Sequence, residues 1–213
     1  MKTTELISLL AADTLPVARN ATRRRLAVAL LAGLSMALAI LLTAYGVRDD
    51  LAQMTGLAMF WFKLAVPVTV AIAGFVVLQT LARPGVKLGA RWVGLLLPVA
   101  MLWMLGFYRY GTAPVDERAA LVWGTTWQFC LASIALMSLP VFIAAFVALR
   151  TLAPTRPVLA GACAGAMSGG VGAAVYALHC PEMAAPFLAI WYVGGMTIPT
   201  VAGALMGPRL LRW

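Results

Sequence analysis

A chain of 213 residues that is 63% hydrophobic, with a mean hydropathy of +0.94, carries more apolar mass than a water-soluble fold of this size can bury. The formal charge of +9 would suggest nucleic acid in a soluble protein, but here the basic residues stand beside apolar runs, where they orient a membrane protein, so no direct nucleic-acid contact is expected. Three cysteines without a Cys-x-x-Cys framework, and a single histidine, exclude a zinc-ribbon or histidine-rich metal site.

The first sixteen residues predict a short amphipathic helix. Thr3 or Thr4 can cap its start, Leu6, Leu9 and Leu10 share a face with Ile7 beside them, and Pro16 ends it. A helix of about twelve residues is marginal alone in water and folds on a surface. Lipid-bound helices carry Lys and Arg on the polar face; this one offers Thr4, Glu5, Ser8 and Asp13. A protein partner is therefore expected, with Glu5, Leu6, Ile7, Leu9, Leu10 and Asp13 presented in a helix-in-groove mode. Residues 1–25 read as a cytoplasmic segment and 26–213 as the membrane domain.

That domain reads as an all-α, polytopic bundle of six transmembrane helices, at about 26–46, 57–81, 92–108, 123–149, 158–178 and 187–207. Arg23-Arg24-Arg25 ahead of about 20 apolar residues fits an uncleaved signal anchor better than a signal peptide, whose apolar region is about 7–15 residues. Sorting charges into alternating sides places twelve of the sixteen Lys and Arg with the two termini and the second and fourth loops. Arg48, Arg109 and Arg118 fall on the other side with five of the seven acids, which predicts both termini in the cytoplasm. Phe60, Trp61, Trp103, Trp123, Trp127 and Trp191 stand toward the outer ends, as interfacial aromatics do. In the fifth span Gly161, Gly165 and Gly169 recur every four residues, a pattern for close helix packing.

Lys63 is the one charge inside an apolar run. At about six residues from the outer end it lies roughly 9 Å deep, so its stem is expected to snorkel outward or toward Asp49 and Asp50, the alternative being a functional intramembrane charge. Cys130, about 28 Å along the helix from Leu149 at the inner face, falls at the outer boundary. Cys180 sits in the outer loop His179-Cys180-Pro181-Glu182, whereas Cys163 belongs to the inner leaflet as a packing residue. The outer thiols can form a disulfide, capture a soft metal with His179 and Glu182 extending the site, or simply pack.

Several segments together resemble the NrsF-type membrane anti-sigma factors: Thr4-Glu5-Leu6-Ile7 through Leu10-Ala11-Ala12-Asp13, Phe60-Trp61-Phe62-Lys63-Leu64, Leu81-Ala82-Arg83-Pro84-Gly85, Cys130, Ala148-Leu149-Arg150, Tyr176 through Glu182, and Trp191-Tyr192. The resemblance covers nearly the whole chain. It implies an anti-sigma factor of the bacterial inner membrane whose N-terminal segment holds an extracytoplasmic-function sigma factor. It also implies that Cys130 and Cys180 sense the periplasmic redox or heavy-metal stress that releases the partner. No cofactor and no enzymatic activity are expected. A small transporter or metal-efflux protein is the other class that six helices and outer thiols suggest.

Overall fold

Apolar runs of about twenty residues satisfy every backbone polar group internally only as helices, which is the condition for crossing a bilayer. The computed structural model describes residues 3–12, 20–82, 89–152 and 154–212, without the side chains of Leu9 and Leu10. Asp13, expected to contact the partner, lies outside the described residues. Among them there is no strand.

Helix α1 spans Thr3–Ala12. Helix α2 (Ala21–Ile40) widens into a π turn at Leu41–Tyr45 and stops at Gly46, whose φ of +75° suits glycine. A single turn, α3 (Leu51–Met54), precedes α4 (Ala58–Leu81). A 3₁₀ turn at Gly89–Trp92 leads into α5 (Val93–Thr112). The short α6 (Arg118–Trp123) breaks at Gly124, φ +52°, before α7 (Trp127–Arg150). Helix α8 covers Pro157–Tyr176. The turn α9 (Ala185–Phe187) and a second π turn, Leu188–Tyr192, run into α10 (Val193–Leu210).

Six helical stretches, Ala21–Tyr45, Ala58–Leu81, Gly89–Thr112, Arg118–Arg150, Pro157–Tyr176 and Ala185–Leu210, are long and apolar enough to cross a membrane. They match the six expected runs, with shifted ends. The first begins at Ala21, so Arg23–Arg25 ride on the helix instead of preceding it; arginine is a good helix former and nothing there breaks the turn. Trp123 falls on α6, because Gly124 separates it from α7.

Helix α8 is the centre, packed by α10, α4 and α7. Its lack of side-chain bulk is the cause. A methyl on Gly165 would collide with the Pro199 carbonyl of α10, one on Gly161 with the Gly203 carbonyl, one on Gly170 with Pro67 and Ala71 of α4, and one on Gly172 with Ser138 and Ile134 of α7. Backbone approach of this kind replaces the hydrophobic effect as the packing force between helices in lipid. Buried hydroxyls bond within their own helices, Ser138 Oγ to the Ile134 carbonyl and Ser168 Oγ to the Ala164 carbonyl, both at 2.7 Å. Helix α2 lies against α7, touching it at Gly33 and Val141, and α5 packs against α4 and α9. Large apolar side chains such as Leu31, Met104, Phe129, Val147 and Leu205 cover the exterior, far more exposed apolar surface than soluble monomers carry.

The two ends of the bundle differ. Arg25 donates to Thr151, and Arg150 to the Leu210 carbonyl, at one end. Cys130, Cys180, Arg48 and Lys63 meet at the other.

Candidate functional site

Helix α8 finishes with the Tyr176 carbonyl accepting from the backbone N–H groups of both His179 and Cys180 at 3.0 Å, after which Pro181 takes the chain out of helix. Cys180 is thereby turned back under the loop that leads to α9. Cys130 lies in the first turn of α7, its N–H donating to the Thr126 carbonyl at 3.1 Å. The Thr126 hydroxyl lies 3.9 Å from Cys180 Sγ, so one residue touches both cysteines. Both side chains are 0% exposed, and all three cysteines of the chain are free thiols. Cys163 is buried elsewhere on α8, near its opposite end.

Two cations clamp the Cys180 loop. Lys63 is 2% exposed and does not snorkel: Nζ donates to the carbonyls of Cys180 at 2.7 Å and Glu182 at 2.9 Å, and lies 5.3 Å from the centroid of the Tyr192 ring. The loop carbonyls, which have no helical partner, reach down to the ammonium, so it need not climb to Asp49 or Asp50. Arg48 donates from Nη1 to the same Cys180 carbonyl at 3.2 Å, and its backbone N–H to the Leu178 carbonyl at 3.2 Å. Both lone pairs of the Cys180 carbonyl are thus used. The rest of the Arg48 fork grips Asp50, with Nη2 2.7 Å from Oδ2. That bond holds the Asp50 carboxyl below its ordinary range and raises Arg48 against the opposing effect of burial.

His179 and Glu182 bond neighbouring segments. His179 Nδ1 donates to the Gly46 carbonyl at 3.1 Å, and its ring packs on Tyr45 and Tyr176. The Glu182 carboxylate accepts from Thr125 N–H at 2.6 Å and Thr125 Oγ1 at 2.7 Å, in the turn that precedes α7. Both side chains therefore pin the loop to its neighbours. Among the described residues no three His, Cys, Asp or Glu side chains gather as metal ligands. The loop and the first turn of α7 bring together two buried thiols with Thr126 against both.

Each π turn ends in a tyrosine at this site. The Tyr45 hydroxyl donates to Ser133 Oγ on α7 at 3.1 Å, while the Tyr192 hydroxyl is buried. Beside them Trp123, Trp127 and Trp191 stack with centroids 4.9–5.5 Å apart, and Trp191 Nε1 donates to the Val122 carbonyl. Thr126, Tyr192 and Arg48 carry no sequence signal of a role at the thiols, with one exception: Arg48 is a basic residue on the side that should lack them. Arg118, another such exception, also serves carbonyls, those of Ala113 and Gly111 at the end of α5. At the other end, Leu6 and Ile7 of α1 are 43% and 60% exposed, which leaves apolar surface on that helix uncovered.

The family described as NrsF, negative regulator of sigma F, matches residues 10–213, a match that begins after Glu5, Leu6, Ile7 and Leu9. A probable anti-sigma-F factor of Azospira oryzae is 41% identical over 215 residues, and an anti-sigma-F factor of Caulobacter vibrioides 39% identical over 217, each covering the whole of both chains. No solved structure matches the chain.

Proposed function

The chain belongs to the NrsF family, the negative regulators of sigma F, and on that premise we propose that it is an inner-membrane anti-sigma factor that holds an extracytoplasmic-function sigma factor and releases it under periplasmic redox or heavy-metal stress. Both termini lie in the cytoplasm. Residues 1–25 supply the holding segment through Glu5, Leu6, Ile7, Leu9, Leu10 and Asp13, and the membrane domain supplies the sensor.

The observation that carries the sensing half is that Cys130 and Cys180 are both fully buried at one end of the bundle with Thr126 against both. Joining the thiols as a disulfide transfers two electrons and two protons to an oxidant such as a peroxide, which leaves as water or alcohol. Capture of a soft divalent metal instead releases two protons to solvent and sets two thiolates on the ion. Either event draws the end of α8 toward α7 and works against the bonds from Lys63 and Arg48 to the Cys180 carbonyl. Helix α8 touches α4, α7 and α10 backbone to backbone, so its displacement moves those neighbours as rigid bodies. The signal acts only insofar as it favours the shifted state. Transport, the other class, gains no support here, since Lys63 is committed to loop carbonyls.

The test is a sigma-dependent reporter in cells carrying the full chain. Cys130→Ser with Cys180→Ser keeps the reporter silent under peroxide or heavy metal, while Cys163→Ser responds as wild type; induction that persists in the double variant ends the sensor reading. Separately, Leu6→Glu with Ile7→Glu abolishes co-purification of the sigma factor, and unchanged capture removes the N-terminal segment from the mechanism.

A further inference from the structure

At the end of the bundle opposite the cysteines, a furrow of about 860 Å³ runs between α2 and α7. Its mouth is cationic: Arg24 and Arg25 are exposed, and Arg25 Nη1 donates to Thr151 Oγ1 at 3.0 Å. Among the described residues neither arginine pairs with a carboxylate, the one ion pair there being Arg48 with Asp50. Its walls are apolar. Val28 and Ala32 on α2 face Ala144 and Val147 on α7, and the two valines are 59% and 61% exposed. Beyond Ala32 the trough closes, because at Gly33 the helices come so near that a methyl would sit 2.5 Å from Val141 Cα.

The dimensions name the occupant. From Arg24 at the mouth to Ala32 is about 12 Å of helix, most of one leaflet of a hydrocarbon core of about 30 Å. The furrow thus pairs two guanidinium groups, unpaired with any carboxylate among the described residues, with an apolar trough nearly one leaflet deep. We propose that it binds an anionic glycerophospholipid, with the phosphate on Arg24 and Arg25 and one acyl chain along Val28, Ala32, Ala144 and Val147. A second copy of this chain on the same face would bring four arginines together without neutralising them. A polypeptide strand in the trough would leave backbone groups unbonded among lipid chains. The site depends on the helices spanning a bilayer, and on neither the cysteine switch nor the sigma factor.

Native mass spectrometry of the full-length protein, titrated with phosphatidylglycerol and with phosphatidylcholine of the same acyl chains, tests it. Wild type is expected to prefer phosphatidylglycerol about thirtyfold, the worth of two arginines near an anionic surface. Arg24→Gln with Arg25→Gln brings the two lipids to parity. Ala144→Phe, which fills the trough and keeps both charges, weakens phosphatidylglycerol binding, while Arg156→Gln, an exposed arginine outside the furrow, leaves the preference intact. Equal binding of the two lipids by wild type, a preference that survives loss of both arginines, undiminished binding in Ala144→Phe, or competition by soluble glycerol phosphate at equal concentration overturns the proposal. So does a dimer that phosphatidylglycerol fails to dissociate.

Discussion

A lysine buried at membrane depth has to find acceptors for its ammonium or draw water to it. Lys63 finds two carbonyls in the loop 177–184, which lacks regular structure, and in doing so holds Cys180 in place. Lys63→Met removes that donor, leaves the Cys180 carbonyl to Arg48 alone and the Glu182 carbonyl unbonded, the latter costing about 1–3 kcal/mol where it stays buried. The loop is therefore expected to open: in a Cys130→Ser, Cys163→Ser background, Lys63→Met raises the rate at which a membrane-permeant maleimide labels Cys180, read by mass shift. Asp50 carries a pH prediction. Its carboxyl is depressed by the bond to Arg48, so the stability it contributes is present above the ordinary carboxylate range and lost as pH falls through the lowered folded value. The difference in thermal midpoint between wild type and Asp50→Asn should shrink as pH falls from about 7 through the ordinary carboxylate range and vanish once pH passes below the lowered folded value. With the Asp50 side chain 42% exposed, the difference at neutral pH is small. Lys63 was conspicuous in the sequence as the only charge in an apolar run, but its acceptors are 117 and 119 residues away, and no local pattern encodes that distance.

Helix α8 is central because it is nearly bare. The four-residue recurrence of Gly161, Gly165 and Gly169 made close packing legible, while the choice of α10 for that face, and of α4 and α7 for Gly170 and Gly172, follows from how three helices fit around one. Gly165→Leu would drive a side chain into the Pro199 backbone, and overpacking of this kind costs about 1–3 kcal/mol or more. It is expected to lower the melting temperature of the detergent-solubilised protein well beyond the effect of Ala174→Leu on the half-buried side of the same helix. The π turns were not legible. Leu41–Tyr45 and Leu188–Tyr192 have the composition of ordinary apolar helix, and only the packing at the thiol pocket shows both wide turns delivering a tyrosine there.

Across the whole molecule, the thiols and the arginine-rich end occupy opposite ends of the bundle, which is the separation a signal across a bilayer needs. The orientation is measurable with two exposed positions. Val115→Cys is expected to react with a membrane-impermeant maleimide in intact spheroplasts, and Thr155→Cys only after permeabilisation, the native cysteines being buried. The opposite pattern would put Cys130 and Cys180 in a reducing compartment and remove a periplasmic signal. By itself the sequence determined six apolar helices, the sorting of basic residues onto one side, and the placing of Cys130 and Cys180 near one boundary, because hydropathy and charge bias act locally and in order along the chain. The tertiary structure decided that α8 is the core, that Lys63 serves loop carbonyls, and that His179 and Glu182 bond the Gly46 carbonyl and Thr125. Those choices depend on which backbones can approach one another and which hydrogen bonds then fall within reach, and neither is written in any single segment.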